Sequence, residues 1–211
     1  MKQYLIAAAV VAMTAPAAHA LTLDETQVED VGFGPTELNA TLNFDGYTGS
    51  GTVTEVRLGF RGVIESDISI FNISASPQDF SADTVTEFAY TSPAGPSVFD
   101  VAGGTGPTTI VGGGNTTFEV DGSNSSGLTV TGGGLAPFLS PFTVDLLTDT
   151  FIRISGGGGR VLGGQETEAF GEVTVEYFTD DPLAPIPLPA SAFLMLAALG
   201  SFLALRRYKT V

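Results

Sequence analysis

The stretch Glu55-Val56-Arg57-Leu58-Gly59-Phe60 places an apolar side chain at every second position and polar residues or glycine between them. A period of two is the period of a β-strand, whose successive side chains point to opposite faces of a sheet. The same alternation recurs over residues 37–44 and 172–177. Each of these three stretches therefore predicts a strand with one buried face and one face in water.

The rest of the central region has the same character. Glycine (27 residues) and proline (12 residues) separate short segments that are rich in Val, Ile, Phe and Thr, a pattern typical of many short strands joined by tight turns. We predict further strands at residues 85–90, 97–101, 108–111, 116–120, 128–131, 142–147 and 151–155. Strands spaced about 8–12 residues apart favour an all-β fold, an antiparallel, jelly-roll-like β-sandwich.

A solenoid is the main alternative, because glycine clusters recur along the chain. They lie at residues 103–104, 112–114, 132–134 and 156–159. The residues between the clusters do not repeat, which favours turns in a sandwich over the repeats of a β-helix.

The N-terminus has the three parts of a secretory signal peptide. Met1-Lys2-Gln3 is a short positive region, residues 5–13 are apolar, and Ala18-His19-Ala20 has the small-x-small pattern of a cleavage site. We predict that the Sec translocon exports the chain and that cleavage follows Ala20, so that residues 1–20 are removed. An uncleaved N-terminal anchor is disfavoured because the apolar core is too short to span a membrane.

The C-terminus predicts one transmembrane helix. Residues 186–205 carry no charge, and about 20 such residues allow a helix to cross the hydrocarbon layer of a membrane. Arg206, Arg207 and Lys209 follow directly, and the positive-inside rule places them in the cytoplasm. The domain before this helix, residues 21–178, is then outside, and the polar, proline-bearing residues 179–185 form a linker to the membrane.

The signature Ile186-Pro187-Leu188-Pro189-Ala190 stands at the head of the predicted helix. A proline signature, one hydrophobic helix and a terminal basic cluster, in this order, resemble the PEP-CTERM class of bacterial sorting signals. The form here resembles the VPLPA-CTERM variant, with Ile186 in place of Val. The resemblance covers residues 186–211. An ordinary C-terminal anchor that is never cut is the alternative.

The resemblance implies an exosortase-type membrane enzyme as a partner, with cleavage near the signature. It also implies delivery of the upstream domain to the cell surface or the extracellular matrix, in association with exopolysaccharide.

The region between the two targeting segments is strongly acidic. It retains four basic residues, Arg57, Arg61, Arg153 and Arg160, and all 23 acidic residues, a formal charge of 4 − 23 = −19. Such a charge repels nucleic-acid phosphates and anionic lipid headgroups, so we expect no nucleic-acid partner. It suits a solvated surface, or one that gathers divalent cations.

The chemistry open to this region is narrow. The one histidine, His19, leaves with the signal peptide, the chain has no Cys, and no Lys lies between the targeting segments. Ser-His-Asp and Cys-His nucleophiles, a Schiff-base or P-loop lysine, and His- or Cys-based zinc sites are excluded. We therefore expect a non-catalytic protein.

Carboxylates remain, and Glu172 and Glu176 are candidates for a glycoside hydrolase that uses carboxylates alone. They lie on the predicted solvent face of a strand, where solubility explains them equally well.

Calcium needs only oxygen ligands, so we also consider the oxygen-rich segments. These are the predicted polar loop at residues 121–127 and the pair at residues 180–181, with Asp121, Asn124, Asp180 and Asp181 as candidate ligands. Neither segment has EF-hand or nonapeptide spacing, and a turn explains the first equally well. A membrane-anchored module that binds glycan or calcium is thus the alternative to a structural role.

Overall fold

The longest uninterrupted pairing in the fold belongs to β3 (Val53–Asn72), which has a strand on each side. The computed structural model describes residues 20–156, 158 and 161–181. Residues 1–19 of the predicted signal peptide, with Ala18, the linker after Asp181 and the tail at residues 186–211 lie outside the described residues, whereas Ala20 is the first described residue. Within the described part, no helix is long and apolar enough to cross a membrane.

The described residues form nine strands and one 3₁₀ helix. Besides β3, the strands are β1 (Ala20–Pro35), β2 (Asn39–Phe44), β4 (Gln78–Ser92), β5 (Gly95–Gly104), β6 (Thr108–Ile110), β7 (Asn115–Thr131), β8 (Phe142–Gly156) and β9 (Val161–Asp181). The 3₁₀ helix, Gly132–Leu139, connects β7 to β8.

The strands make two sheets that share a core. The first sheet has the order β1-β9-β3-β7, and the second has the order β2-β8-β4-β5 with the short β6 paired to β4. The pairings of β3 with β7 and β9, and those of β4 with β5, β6 and β8, are antiparallel. The expectation of an all-β antiparallel sandwich is confirmed at this level.

The period of two decides which face of β3 is buried. Val56, Leu58 and Phe60 are each at most 2% exposed, while Arg57 and Gly59 between them face solvent. Burying an apolar side chain of this size stabilises the fold by about 1.5–3 kcal/mol. The predicted alternation also holds in β9 and in β2, which begins at Asn39 and leaves Glu37 and Leu38 outside the strand. All three sequence patterns therefore contain strands.

Two pairs of predicted strands are single strands. Residues 116–120 and 128–131 join in β7, and residues 142–147 and 151–155 join in β8. The prediction of a polar loop at residues 121–127 is therefore wrong. This segment is rich in Gly and Ser, but β3 offers it an unbroken ladder from Glu65 to Gly59, and this pairing outweighs its weak strand propensity.

The sequence patterns do not predict β1, the edge strand of the first sheet. Its apolar residues are irregularly spaced, and Leu21, Leu23 and Val28 are about half exposed. At the other end of the chain, β9 continues to Asp181. The first three residues of the predicted linker therefore belong to a strand.

A pair of glycines lets the two sheets approach closely. Gly62 on β3 and Gly171 on β9 are cross-strand partners on the inner face of the first sheet. A Cβ atom at Gly62 would lie 2.9 Å from the ring of Phe88, and one at Gly171 would overlap the side chain of Leu146. The missing side chains thus make room for large residues of the second sheet.

The edges of the two sheets cover each other on one side of the sandwich. The side chain of Asn124 on β7 donates a hydrogen bond to the Asp100 carbonyl on β5 at 2.8 Å. A Cβ atom at Gly122 would lie 2.5 Å from the Ala102 carbonyl oxygen, so the two backbones touch. This contact protects strand edges that would otherwise pair with other chains.

Hydroxyl groups divide the interior into two apolar clusters. The Ser66 hydroxyl lies 2.7 Å from that of Thr167 and 3.1 Å from that of Thr84. Among the described residues, no buried side-chain polar atom lacks a hydrogen-bond partner. Because its hydroxyl groups are hydrogen-bonded to one another, the polar layer avoids most of the free-energy cost of burying unpaired polar groups.

We predict that Gly62→Ala lowers the free energy of unfolding by about 1–3 kcal/mol, because the new methyl group would overpack the interface against Phe88. Gly59→Ala is the matched control. It lies on the same strand but faces outward, with its nearest neighbour, Thr174 Cβ, at 3.7 Å. Urea unfolding of both variants measures the difference, and equal stabilities would contradict the account of sheet packing.

Candidate functional site

Six carboxylates share the outer face of β7, β3 and β9. The strand register sets them in two adjacent rows of three, one from each strand. These rows are Asp121–Glu65–Glu168 and Glu119–Asp67–Glu166. We call these six residues the acidic array.

Each strand contributes two acids separated by one residue. The separating residues, Ser66, Val120 and Thr167, are at most 9% exposed and face the core. Because side chains alternate along a strand, burying these three residues turns both neighbouring acids outward. The acidic array thus lies on the outer face of the first sheet, at the same level along the strands as the hydroxyl layer inside.

The array lines an open depression of about 770 Å³, together with Ser66 and Val120. All six acidic side chains are exposed. Like charges directly opposite each other on neighbouring strands destabilise a sheet. Carboxylates are hydrogen-bond acceptors only, so this face attracts cations and repels anions.

The candidate hydrolase pair lies elsewhere on the same face. Glu172 is the cross-strand partner of Arg61, and Glu176 is that of Arg57. The guanidinium of Arg57 also pairs with Glu55 at 2.6 Å. Four residues along a strand separate the two glutamates by roughly 13 Å, which exceeds the ~5–10 Å between carboxyls that sugar hydrolysis uses.

The structure does not bring the candidate calcium ligands together. Asp121 belongs to the acidic array, whereas Asn124 points to the opposite face of β7 and bonds to the backbone of Asp100. Asp180 is exposed near the end of β9, beside Val53, the first residue of β3. About twelve positions along β3, or roughly 40 Å, separate it from Asp121. The side chain of Asp181 lies outside the described residues.

The described part of the chain contains no group of three or more His, Cys, Asp or Glu side chains in a metal-binding arrangement.

A second polar cluster fastens the edge strand β1. The Glu25 carboxylate accepts hydrogen bonds from the backbone of Thr48 at 2.8 Å, from that of Gly49 at 3.2 Å, and from the side chain of Gln27 at 2.6 Å. The Tyr47 hydroxyl donates to Asp24. The cluster ties β1 to the loop between β2 and β3.

The pKa of Glu25 reflects these contacts. Partial burial alone would raise the pKa, but the hydrogen bonds from Gln27, Thr48 and Gly49 outweigh burial and hold the pKa below its ordinary value of 4.5. The ionised form is therefore the one that the folded structure favours.

No family model and no curated protein matches the chain. Among solved structures, a structure of infectious bursal disease virus, Gx strain, is 14% identical, with 78% of this chain and 34% of that chain covered and a TM-score of 0.22. The VP2 subviral particle of the same virus is 10% identical over 75% of this chain and 38% of that chain, with a TM-score of 0.24. The chain spans little more than a third of the length of these two viral chains. Similarity at this level establishes neither a shared fold nor a shared function.

We predict that Asp67→Asn raises the free energy of unfolding by about 0.2–1 kcal/mol for each like-charge pair that it removes, with Glu119 and Glu166. The gain shrinks at high salt, where exposed charges are screened. Glu176→Gln, which loses its attraction to Arg57, is the control and gives no gain. Urea unfolding at low and high salt measures both effects, and a loss of stability in Asp67→Asn at low salt would refute this account of the array.

We predict that Glu25 makes stability depend on pH. Its pKa is lower in the folded state, so its contribution is complete above the unfolded value of 4.5 and is lost as the pH falls through the folded pKa. The stability difference between the wild type and Glu25→Gln should then be largest near neutral pH and shrink below pH 4.5. Chemical unfolding across this range measures it, and a difference that does not change with pH would rule out the assignment.

Proposed function

We propose that this chain is an exported, acidic, non-catalytic protein of the cell surface or extracellular matrix that carries an exosortase-type sorting signal at its C-terminus. The observation that carries the proposal is the order of segments: a signal peptide, one β domain, and the Ile186–Ala190 signature ahead of an apolar run and a basic cluster. The partners of the proposal are the Sec translocon, the membrane through the C-terminal helix, an exosortase-type enzyme and exopolysaccharide.

We further propose that the sandwich is a jelly roll. The strand order supports this proposal. The chain passes back and forth between the sheet β1-β9-β3-β7 and the sheet β2-β8-β4-β5, and its first and last strands are neighbours in the first sheet. Two nested Greek keys give this arrangement. Jelly rolls occur in capsid, lectin and enzyme families alike, so the architecture itself indicates no activity.

The surface of the domain supports an extracellular structural role. Its charge of 4 − 23 = −19 keeps the domain soluble and keeps it away from anionic lipid. On β3, the cross-strand partners of Glu172 and Glu176, the candidate catalytic pair, are arginines and not carboxylates.

We predict that the mature wild-type protein lacks both ends and is recovered at the cell surface or in the medium. The double variant Pro187→Ala/Pro189→Ala should keep its tail and stay in the membrane, because the processing enzyme no longer recognises the signature. Intact mass and fractionation in the native host measure both outcomes.

Pro182→Ala/Pro185→Ala, which changes prolines just before the signature, is the control and should still be processed. A wild-type protein that keeps its full tail in the inner membrane would show that the sorting proposal is wrong.

The alternative is a module that binds calcium or glycan. The acidic array forms no metal-binding group in the described structure, but its charge attracts cations, and this attraction favours the calcium form. A resident calcium ion would raise the melting temperature of the wild type by mass action. Asp67→Asn should then weaken the shift, whereas Glu176→Gln should not. No stabilisation at millimolar calcium would remove this alternative.

A further inference from the structure

Both ends of the described domain leave the sandwich at the same end. β3 begins at Val53, beside Thr179 of β9. β1 runs antiparallel to β9. Just after the end of β1, the Thr36 amide donates a hydrogen bond to the Thr167 carbonyl at 3.1 Å. Near the start of β1, Asp24 accepts a hydrogen bond from Tyr47, whose ring packs against that of Tyr177. The start of β1 and the end of β9 therefore lie together, and we call this the exit end.

The opposite end of the sandwich carries exposed apolar side chains. Four of these are between 40% and 67% exposed, and we call them the tip: Phe71, Ile73, Val111 and Leu162. Exposed apolar side chains that cluster in this way mark interaction surfaces, whereas isolated ones need no explanation.

The tip residues are held next to one another. Phe71 and Leu162 are direct cross-strand partners on β3 and β9. Backbone hydrogen bonds at 3.0 Å join Gly113 to the carbonyls of Asn72 and Ser74, which brings the turn with Val111 against Ile73. The tip is thus a surface that is formed before any partner binds.

Buried Asn72 makes this arrangement rigid. Its side-chain amide donates to the carbonyls of Ser76 and Ile110, both at 2.9 Å, and its oxygen accepts from the backbone and hydroxyl of Ser74. Asn72 is fully buried, so its side chain serves the fold of the tip.

The tip is also the part of the domain that lacks acidic residues. Residues 69–78, 101–118 and 154–165 contain none of the 23 Asp and Glu side chains. Asp79, which follows the first of these ranges, accepts a hydrogen bond from Thr109. The acids nearest to the tip in sequence are Asp67 and Glu166, each four positions from a tip residue and therefore about 13 Å away along its strand. The faces of both sheets carry acidic rows, with the array on the first sheet and Asp149–Glu87–Asp100 on the second.

We propose that the tip is a self-association surface on which a second copy of this chain binds, tip to tip. Each copy carries a charge of −19 between its targeting segments, so two copies that met through their sheet faces would set acidic rows against each other. Contact through the tip buries apolar side chains and keeps both acidic arrays apart. A two-fold axis through the contact makes the surface self-complementary and closes the assembly at two copies.

This arrangement also determines how association of two copies depends on salt. The remaining long-range repulsion between two acidic bodies opposes association, and salt screens it. The buried contact itself is apolar and does not weaken in salt. Association should therefore strengthen as salt is added.

The chain contains no cysteine, so single-cysteine variants test the proposal cleanly. The full chain, purified in detergent, carries Leu162→Cys at the tip or, as a control, Leu147→Cys on the outer face of the second sheet, where the wild-type residue is 55% exposed. A short bismaleimide traps any dimer, and labelling with a monofunctional maleimide verifies that both thiols react equally.

With Leu162→Cys, we expect the amount of covalent dimer to increase as salt is raised from about 50 to 500 mM. With Leu147→Cys, we expect only background amounts of dimer. Adding Val111→Asp to Leu162→Cys puts a charge into the contact and should reduce the dimer about tenfold, with an unchanged melting temperature because Val111 is exposed. Equal dimer at both positions, no dimer at the tip, or dimer that is insensitive to Val111→Asp would overturn the proposal. Cross-linking in cells only to a different protein would overturn it as well, and none of these outcomes depends on whether the tail is processed.

Discussion

The structure depends on one constraint, the two-residue period of β3 between two paired neighbours. Burying Ile64 and Ile68 turns Glu65 and Asp67 outward, directly beside the acids of β7 and β9. Each buried isoleucine contributes about 1.5–3 kcal/mol, whereas each like-charge pair costs about 0.2–1 kcal/mol. Burial therefore wins, and the acidic array follows from it.

How much the sequence predicts depends on how local each signal is. The alternation of residues 55–60 and 172–177 is local, so those strands and the all-β class are predictable. Residues 121–127 carry the local signal of a turn, but β3 pairs along their whole length and extends them into β7. No local pattern can report that partner. The same applies to β1, which the Glu25 cluster fastens through contacts more than twenty positions away.

The acidic array shows the same division between local and long-range information. Its signal is present in the sequence as three acid-x-acid pairs, at residues 65–67, 119–121 and 166–168. Strand alternation predicts that each pair shares a face, but only the strand order reveals that the three pairs are neighbours. The domain thus separates its surface into acidic sheet faces, an end where the chain enters and leaves, and a tip without acids. This division suits the exported domain, held from one end, that we propose.

Amide hydrogen exchange of the purified protein tests the central role of β3 most directly. Since β3 is bonded on both sides and carries the largest share of the core, its amides from Val56 to Ile70 should exchange most slowly, through global unfolding. The amides of the edge strand β1 should exchange fastest among the strands of the first sheet. Protection in β3 no greater than in β1 would contradict the account.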